Sequence, residues 1–221
     1  PLSREELPKQ FLNLTDSRSL LQETVLRVLR LAEPRRVRVV TGQTFRALVN
    51  QQIRACAPAL EDPVIPEPEG KSTAAAIALG VARLVAEGAS GADLVLVCPC
   101  DHAMAQVDRF AEAVAQARGA ASEGYLVTFG VVPDRPETGF GYLQTEPLPD
   151  RPFLRVARFV EKPDEERAAA FLEQGGFFWN GGIFCFRVDA FLEALKACAP
   201  ELGEPASAVE EALREAYPGL P

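Results

Sequence analysis

Histidine is nearly missing from this chain: His102 is the only one in 221 residues. That scarcity weighs on the segment Cys98-Pro99-Cys100-Asp101-His102, whose alternate residues 98, 100 and 102 would point one way from an extended backbone. A zinc site there would need a fourth ligand, and no second histidine exists to give it. Long apolar runs are missing as well. None approaches the roughly 20 residues of a membrane-spanning helix, and no secretory signal is visible. Positive charge is in deficit, with 23 Lys and Arg against 31 Asp and Glu and a net charge of −8. Nucleic acid and anionic membrane surfaces are therefore poor partners, and an anionic small ligand would need a local cluster of Lys and Arg against the overall field. There is no internal repeat, low-complexity tract or long linker. An initiator methionine is also absent. The chain opens Pro1-Leu2-Ser3-Arg4 and closes Pro218-Gly219-Leu220-Pro221, so we expect a piece of a longer polypeptide that stops in mid-structure.

What is present suits one globular domain over 1–221. Hydrophobic residues make up 48% and charged residues 24% of it, enough to build a core and keep it in solution. Five cysteines, Cys56, Cys98, Cys100, Cys185 and Cys198, are an odd number scattered through apolar stretches. They read as free thiols in a reducing compartment, the cytoplasm by default.

The pattern alternates helix and strand. Ser17 or Ser19 caps a helix whose apolar positions, Leu20, Leu21, Val25, Leu26, Val28 and Leu29, recur at helical spacing. Val37 to Val40 reads as a strand ended by Thr41-Gly42, and a helix follows through Phe45, Leu48, Val49 and Ile53. Four prolines between Pro58 and Pro68 exclude regular helix. Ser72 or Thr73 caps an alanine-rich helix from Ala74 to about Ala86. Asp93-Leu94-Val95-Leu96-Val97 holds a continuous apolar run after its aspartate, the mark of a strand buried on both faces. A helix through Phe110, Val114 and Ala117 leads to a strand from Tyr125 to Val131. This order predicts an α/β fold, Rossmann-like, with a mixed, mostly parallel sheet and helices on both faces. Beyond Pro133, strand-like pieces at Phe140–Gln144 and Phe153–Glu161 suggest an antiparallel insertion. Helices at about Glu165–Gln174 and Val188–Cys198 flank a strand at Gly182–Phe186, and Ser207 to Tyr217 looks helical.

Several segments can carry chemistry, each beside a plainer reading. Gly70-Lys71-Ser72-Thr73 suggests a phosphate-binding Walker loop, but that motif needs glycine at position 65, which is Ile, and Pro66 and Pro68 stiffen the approach. A helix N-terminus able to hold anions, or an ordinary capped helix start, are the readings that remain. Asp101 follows a central strand, at the edge where open α/β sheets bind ligands, and its hard oxygens suit Mg²⁺; alternatively it caps the next helix. His102 either orients Asp101 or packs. Lys9 is a ligand-facing cation or a solvated lysine. Phe159-Val160-Glu161-Lys162-Pro163 and Trp179-Asn180-Gly181-Gly182 bring a carboxylate, an ammonium and an amide to the ends of neighbouring strands. These groups can bind hydroxyls and phosphate, although Glu161-Lys162 could equally be an exposed ion pair. Trp179 reads as core. The glycines beside Asn180 suggest tight turning or close ligand approach.

Six blocks in order resemble the sugar-nucleotide pyrophosphorylase family over essentially the whole chain. They are Pro1–Arg4 with Pro8-Lys9-Gln10-Phe11, Glu67 to Ala74, Pro99 to His102, Thr128–Pro133 with Arg135–Tyr142, Phe159–Pro163, and Trp179–Phe184. The resemblance implies transfer of GMP from GTP to mannose 1-phosphate, with release of pyrophosphate and without a covalent enzyme intermediate. It implies that Asp101 holds Mg²⁺, that Lys9 and Arg4 face the nucleotide phosphates, and that Lys162 takes the phosphate of the sugar phosphate. Glu161, Asn180 and the Gly141 backbone would contact the sugar, while Thr41, Glu67, Gly70 and Thr73 would border the nucleoside. A homodimer is compatible with it. The family's glycine-rich loop should lie just before Pro1, and a second metal-side aspartate beyond the last residue. Cys100 stands for a commoner alanine and Ala75 for a proline. The 221-residue piece is therefore expected to turn over poorly or not at all. Alternatives are a pyrophosphorylase for another nucleotide and sugar 1-phosphate, or a catalytically inactive regulatory subunit that binds the sugar nucleotide. Retention of Lys9, Asp101 and Lys162 argues against the latter.

Overall fold

The computed structural model describes residues 8–14, 17–67, 70 and 72–198. Arg4, Lys71 and the helix expected at 207–217 lie outside them. Helix α1 (Leu20–Val28) starts at Ser19, not Ser17. The Ser19 hydroxyl accepts from the Gln22 N–H at 3.2 Å, and the Gln22 side-chain carbonyl accepts from the Ser19 N–H at 3.1 Å, so two otherwise unpaired donors are satisfied at once. Ser19 also donates to Gln52 at 2.6 Å, fastening α1 to α2 (Arg46–Cys56). Leu21 and Val25 bury against Val49 and Ile53 of that helix.

Strands β1 (Val39–Gly42) and β2 (Val64–Glu67) pair in parallel, with Val39 opposite Val64 and Gly42 opposite Glu67. The prolines exclude helix over 58–68, yet β2 accommodates Pro66 because, among the described residues, it pairs only with β1 and its other edge needs no donor. Helix α3 (Thr73–Ala86) is capped by Ser72, whose hydroxyl accepts from the Ala75 N–H at 3.3 Å. Then come β3 (Leu94–Val97), α4 (Val107–Ser122), β4 (Val127–Val131), β5 (Tyr142–Pro147), β6 (Leu154–Val160), α5 (Glu165–Gln174), β7 (Phe177–Arg187) and α6 (Val188–Cys198).

A second, five-stranded sheet is organised by β7. Strands β3 and β5 pair with it in turn, β6 pairs with β5, and β4 also pairs with β7. The fold is mixed α/β, but the expectation of mostly parallel pairing needs correction. Among the described residues only β1–β2 is a parallel pair; every pair in the larger sheet is antiparallel. Strands β3, β4 and β5 all oppose β7 and so run the same way, but β7 lies between them and takes their hydrogen bonds. Because β4 shares Phe184 and Cys185 as partners with β3, and Trp179 with β5, it occupies one edge of β7 and leaves β3 and β5 to the other.

β7 is also longer than the expected Gly182–Phe186. Its eleven residues bury Phe177, Trp179, Gly181, Ile183 and Cys185 alternately, a two-residue period that runs straight through Asn180-Gly181-Gly182. Trp179 is core, as expected, packed with Tyr142, Val160, Ala168 and Phe177. Leu94–Val97, expected to be buried on both faces, is only half-buried along its length. Val81, Phe186 and Val188 cover Val95 and Val97 on one side, and Ala117 and Ala121 cover Leu94 and Leu96 on the other. The exposure comes from the edge: among the described residues no strand pairs with β3 opposite β7, nor with β1 opposite β2. All five cysteines are free thiols.

Candidate functional site

Antiparallel register brings distant residues to one level of the larger sheet. Tyr142 lies opposite both Trp179 and Val160, so Gly141, Asn180 and Glu161, each one residue further along, come together. The Asn180 N–H donates to the Gly141 carbonyl at 2.7 Å. A Cβ at Gly141 would stand 2.6 Å from the Phe159 ring and 2.9 Å from the Glu161 carboxylate, so only glycine leaves that carboxylate where it is. The Gly141 N–H has no partner among the described residues and remains a free donor.

Asn180 is oriented by its neighbours. Its side-chain carbonyl accepts from the Thr128 hydroxyl at 3.0 Å and from the Gly182 N–H at 3.2 Å, which assigns the amide and leaves its NH₂ free to donate. The glycines beside it serve the backbone first: a Cβ at Gly181 would meet the Phe129 carbonyl at 2.9 Å, and Gly182 has φ +63°. Lys162 follows Glu161 at φ +43°, an uncommon conformation for a side-chain-bearing residue and one that strain-tolerant functional sites collect. Its ammonium sits 2.9 Å from the Glu161 carboxylate, both groups being more than half exposed.

β3 delivers Asp101. Its exit turn packs Pro99 3.3 Å from where a Cβ would stand on Gly182, the glycine whose N–H donates to the Asn180 side chain. The Lys9 ammonium lies 3.8 Å from the Asp101 carboxylate, close enough for mutual attraction in water but too long for a hydrogen bond. His102 is 3.9 Å away on the other carboxylate oxygen, again not bonded to it. Burial holds the imidazole below its ordinary pKa, opposed by Asp101, so it is neutral at pH 7. Beneath this turn lies Arg27, only 4% exposed, with its guanidinium 5.7 Å from the Phe110 ring centroid. Cys98 and Cys100 cannot neutralise it, because burial pushes their thiols to about 12 and about 11. The turn that carries Asp101 thus sits over a cation with no ion-pair partner among the described residues, which favours anions nearby.

Thr41 and Glu67 close the parallel pair β1–β2, and Thr73 opens α3. Thr73 borders the same groove as Asp101 and Gln10. Gly70 is exposed, with open space where a side chain would be. Burial raises the Glu67 pKa, and its carboxyl has no hydrogen bond or ion pair among the described residues. Of the candidates, Thr41 and Glu67 thus lie at the ends of the paired strands β1 and β2, Gly141, Glu161, Lys162 and Asn180 meet in the larger sheet, and Lys9 faces Asp101. Arg4 lies outside the described residues.

Sequence reasoning named Arg135–Tyr142 as part of a resemblance but gave no role to Arg135, Glu137 or Tyr142, which shape the group around Gly141 and Asn180. The Tyr142 hydroxyl, on a side chain buried completely, donates to the Glu137 carbonyl and accepts from the Glu137 N–H, both at 3.0 Å. The guanidinium of Arg135 lies 5.2 Å from the Trp179 ring centroid, and Phe140 meets the same ring edge-on at 5.2 Å. The signal was the alternation that buries Tyr142 directly after Gly141. Thr128 gave no local signal; only the register of β4 on β7 reveals it.

On this mixed α/β fold the Glu161 carboxylate, the Lys162 ammonium, the oriented Asn180 amide and the Gly141 N–H meet at one level of the larger sheet, and Lys9 faces Asp101 on the turn that packs against Gly182. The sequence model of the nucleotidyl transferase family matches residues 1–218, and the chain belongs to that family. It is 42% identical over 207 residues to the alginate biosynthesis protein AlgA of Pseudomonas syringae, covering 91% of this chain and 41% of that protein. It is 42% identical over 217 residues to mannose-1-phosphate guanylyltransferase of Klebsiella pneumoniae, covering 96% and 45%. The chain thus spans less than half the length of these curated relatives. Among solved structures, mannose-1-phosphate geranyltransferase from Thermus thermophilus superposes with a TM-score of 0.83 at 35% identity, covering all of this chain and 63% of that one. Mannose-6-phosphate isomerase from Helicobacter pylori gives 0.80 at 34%, covering 95% and 76%.

Proposed function

We propose that this chain forms the nucleotidyl-transfer domain of an enzyme that makes GDP-mannose and pyrophosphate from GTP and mannose 1-phosphate. The observation that supports this reading is the contact of Pro99 with Gly182, which ties the turn carrying Asp101 to the strand that carries Asn180. A nucleotide held at Asp101 and Thr73 and a sugar phosphate held at Asn180 and Glu161 would then be neighbours. The likeness to guanylyltransferases at 40–42% identity supports this choice of substrates.

In this reading a phosphate oxygen of mannose 1-phosphate attacks the α-phosphorus of GTP in line. The new P–O bond forms as the bond to the β-phosphate breaks, and pyrophosphate leaves with the electron pair. The attacking phosphate is already an anion, so no protein base is needed, and catalysis consists of positioning and charge neutralisation. The Asn180 NH₂ and the Gly141 N–H donate to sugar hydroxyls, and the Glu161 carboxylate accepts from them. Lys162 neutralises the sugar phosphate. Lys9 and Arg4 face the triphosphate, and Thr41, Glu67, Gly70 and Thr73 border the nucleoside.

A divalent cation, Mg²⁺ in this proposal, fits Asp101. The carboxylate is about half exposed at the sheet edge and offers hard oxygen, with phosphate oxygens and water left to complete the shell. Bound there, the ion would offset charge on the phosphates. The test is product formation by the complete protein with GTP, ATP, UTP or dTTP and mannose or glucose 1-phosphate. GDP-mannose as the main product supports the proposal. Preference for another pair, or binding of GDP-mannose without turnover, contradicts it.

A further inference from the structure

Strands β4 and β7 fall out of step beside Asn180. Thr128 stands opposite Phe184 and Gly130 opposite Asn180, so two steps along β4 span four along β7. The extra residues of β7 make a bulge, a device that re-aims the side chains around it. Gly182 carries the bend at φ +63°. The Asn180 side chain turns back over that bend, its carbonyl accepting from the Gly182 N–H at 3.2 Å. Thr128 sits half-buried where the register breaks. Its hydroxyl has one proton and two acceptors in reach, the Asn180 carbonyl at 3.0 Å and the Ile183 carbonyl at 3.3 Å.

A side-chain amide has two ends of nearly equal shape and opposite polarity. With its carbonyl inward, Asn180 accepts from both Gly182 and Thr128 and keeps its NH₂ donors available. Turned over, it would set an NH₂ against the Gly182 N–H, donor against donor. Gly182 therefore sets the polarity of the amide. Its bond lies at the long end of the usual range and fixes one direction only. The Thr128 bond comes from another strand and fixes a second direction, and two bonds together stop the amide from swinging about its last torsion.

We infer that Thr128 is a positioning residue, whose hydroxyl holds the Asn180 amide with its NH₂ presented to the ligand. Thr128 acts through Asn180 and touches neither reactant. As to the ligand, the inference rests on the proposed function, in which that NH₂ donates to a sugar hydroxyl. A hydroxyl suits the pair of groups met there, because it accepts from an amide while donating to a carboxylate such as Glu161.

Two variants test this. Thr128→Val removes the hydroxyl at nearly constant volume, and Thr128→Ser keeps it. In the ligand-free protein, nuclear magnetic resonance relaxation of the Asn180 side-chain amide should give an order parameter near that of rigid backbone, about 0.85, falling below about 0.6 in Thr128→Val and restored in Thr128→Ser. Mannose 1-phosphate affinity should fall about fivefold in Thr128→Val and return in Thr128→Ser, with GTP affinity unchanged in both. In an Asn180→Asp background, which has no NH₂ to hold, Thr128→Val should cause no further loss. An Asn180 amide as ordered in Thr128→Val as in the parent overturns the inference. So does the same fivefold loss in the Asn180→Asp background, which would mark a structural role for Thr128. Failure of the parent protein to bind mannose 1-phosphate contradicts the proposed function instead, and the relaxation of the ligand-free amide still decides what Thr128 does.

Discussion

Replacing Gly141 by alanine separates a packing role from a binding role. The new methyl would lie 2.6 Å from the Phe159 ring and 2.9 Å from the Glu161 carboxylate. Ordinary carbon contacts begin near 3.5–4.0 Å, so both groups must retreat by about 1 Å. They can do so cheaply. Phe159 is 49% exposed, and the Glu161 side chain stands in solvent, so neither is wedged in the core. Overpacking a closed core costs about 1–3 kcal/mol. Here we expect about 1 kcal/mol or less, a fall of roughly 2–4 °C in Tm for a domain of this size. The binding consequence is larger, because the displaced carboxylate is proposed to hold a sugar hydroxyl. A misplacement of about 1 Å can cost on the order of 10²-fold in reaction rate, and we expect at least a tenfold loss of mannose 1-phosphate affinity. Affinity for GTP should be unchanged. Calorimetric titration with each ligand, beside thermal melts, reads all three quantities. Unchanged mannose 1-phosphate affinity would refute the reasoning, as would equal losses for both ligands.

Asn180→Asp keeps the acceptor for Thr128 and Gly182 but removes the free NH₂, so denaturant midpoints should hold while sugar-phosphate affinity falls about tenfold. Asn180→Ala strands the Gly182 N–H, while the Thr128 hydroxyl keeps the Ile183 carbonyl at 3.3 Å, and should cost about 1–3 kcal/mol of stability in the same melts. Asp101→Asn breaks only an exposed pair with Lys9 and should change stability by less than about 0.5 kcal/mol, while Mg²⁺-dependent nucleotide affinity drops at least tenfold in titrations with and without the ion. Glu67→Gln tests the carboxyl that has no partner among the described residues. Because burial raises the folded-state pKa, the stability of Glu67 is fully present below the ordinary carboxylate value and is lost as pH rises through the raised one. The variant should therefore match the parent chain near pH 3–4 and exceed its denaturant midpoint at pH 7. Equal midpoints at both pH values would contradict this.

The helices were legible because their signals are local. Ser19 and Ser72 announce two starts through the oxygen they offer a backbone donor, and apolar spacing marks the faces that bury. The larger sheet was less so. Nothing within Leu94–Val97 says that its neighbour is β7, more than eighty residues later and running the other way. Asn180-Gly181-Gly182 looked like a break, yet β7 runs through it, since register against Phe129 and Pro99 requires small residues there. For the site, residue type and strand end indicated Asp101, Glu161 and Asn180, whereas Thr128 and Tyr142 emerge only once pairing partners are known.

Mn²⁺ in place of Mg²⁺ gives the most direct test that one rim of the sheet holds the ion and the sugar phosphate side by side. Nuclear magnetic resonance of the chain titrated with Mn²⁺ should show paramagnetic broadening of the Asp101 amide together with those of Gly141, Asn180 and Gly182, all abolished in Asp101→Asn. Addition of mannose 1-phosphate should shift the last three. Broadening centred elsewhere, or sugar-phosphate shifts confined to a surface that Mn²⁺ leaves untouched, would contradict the account.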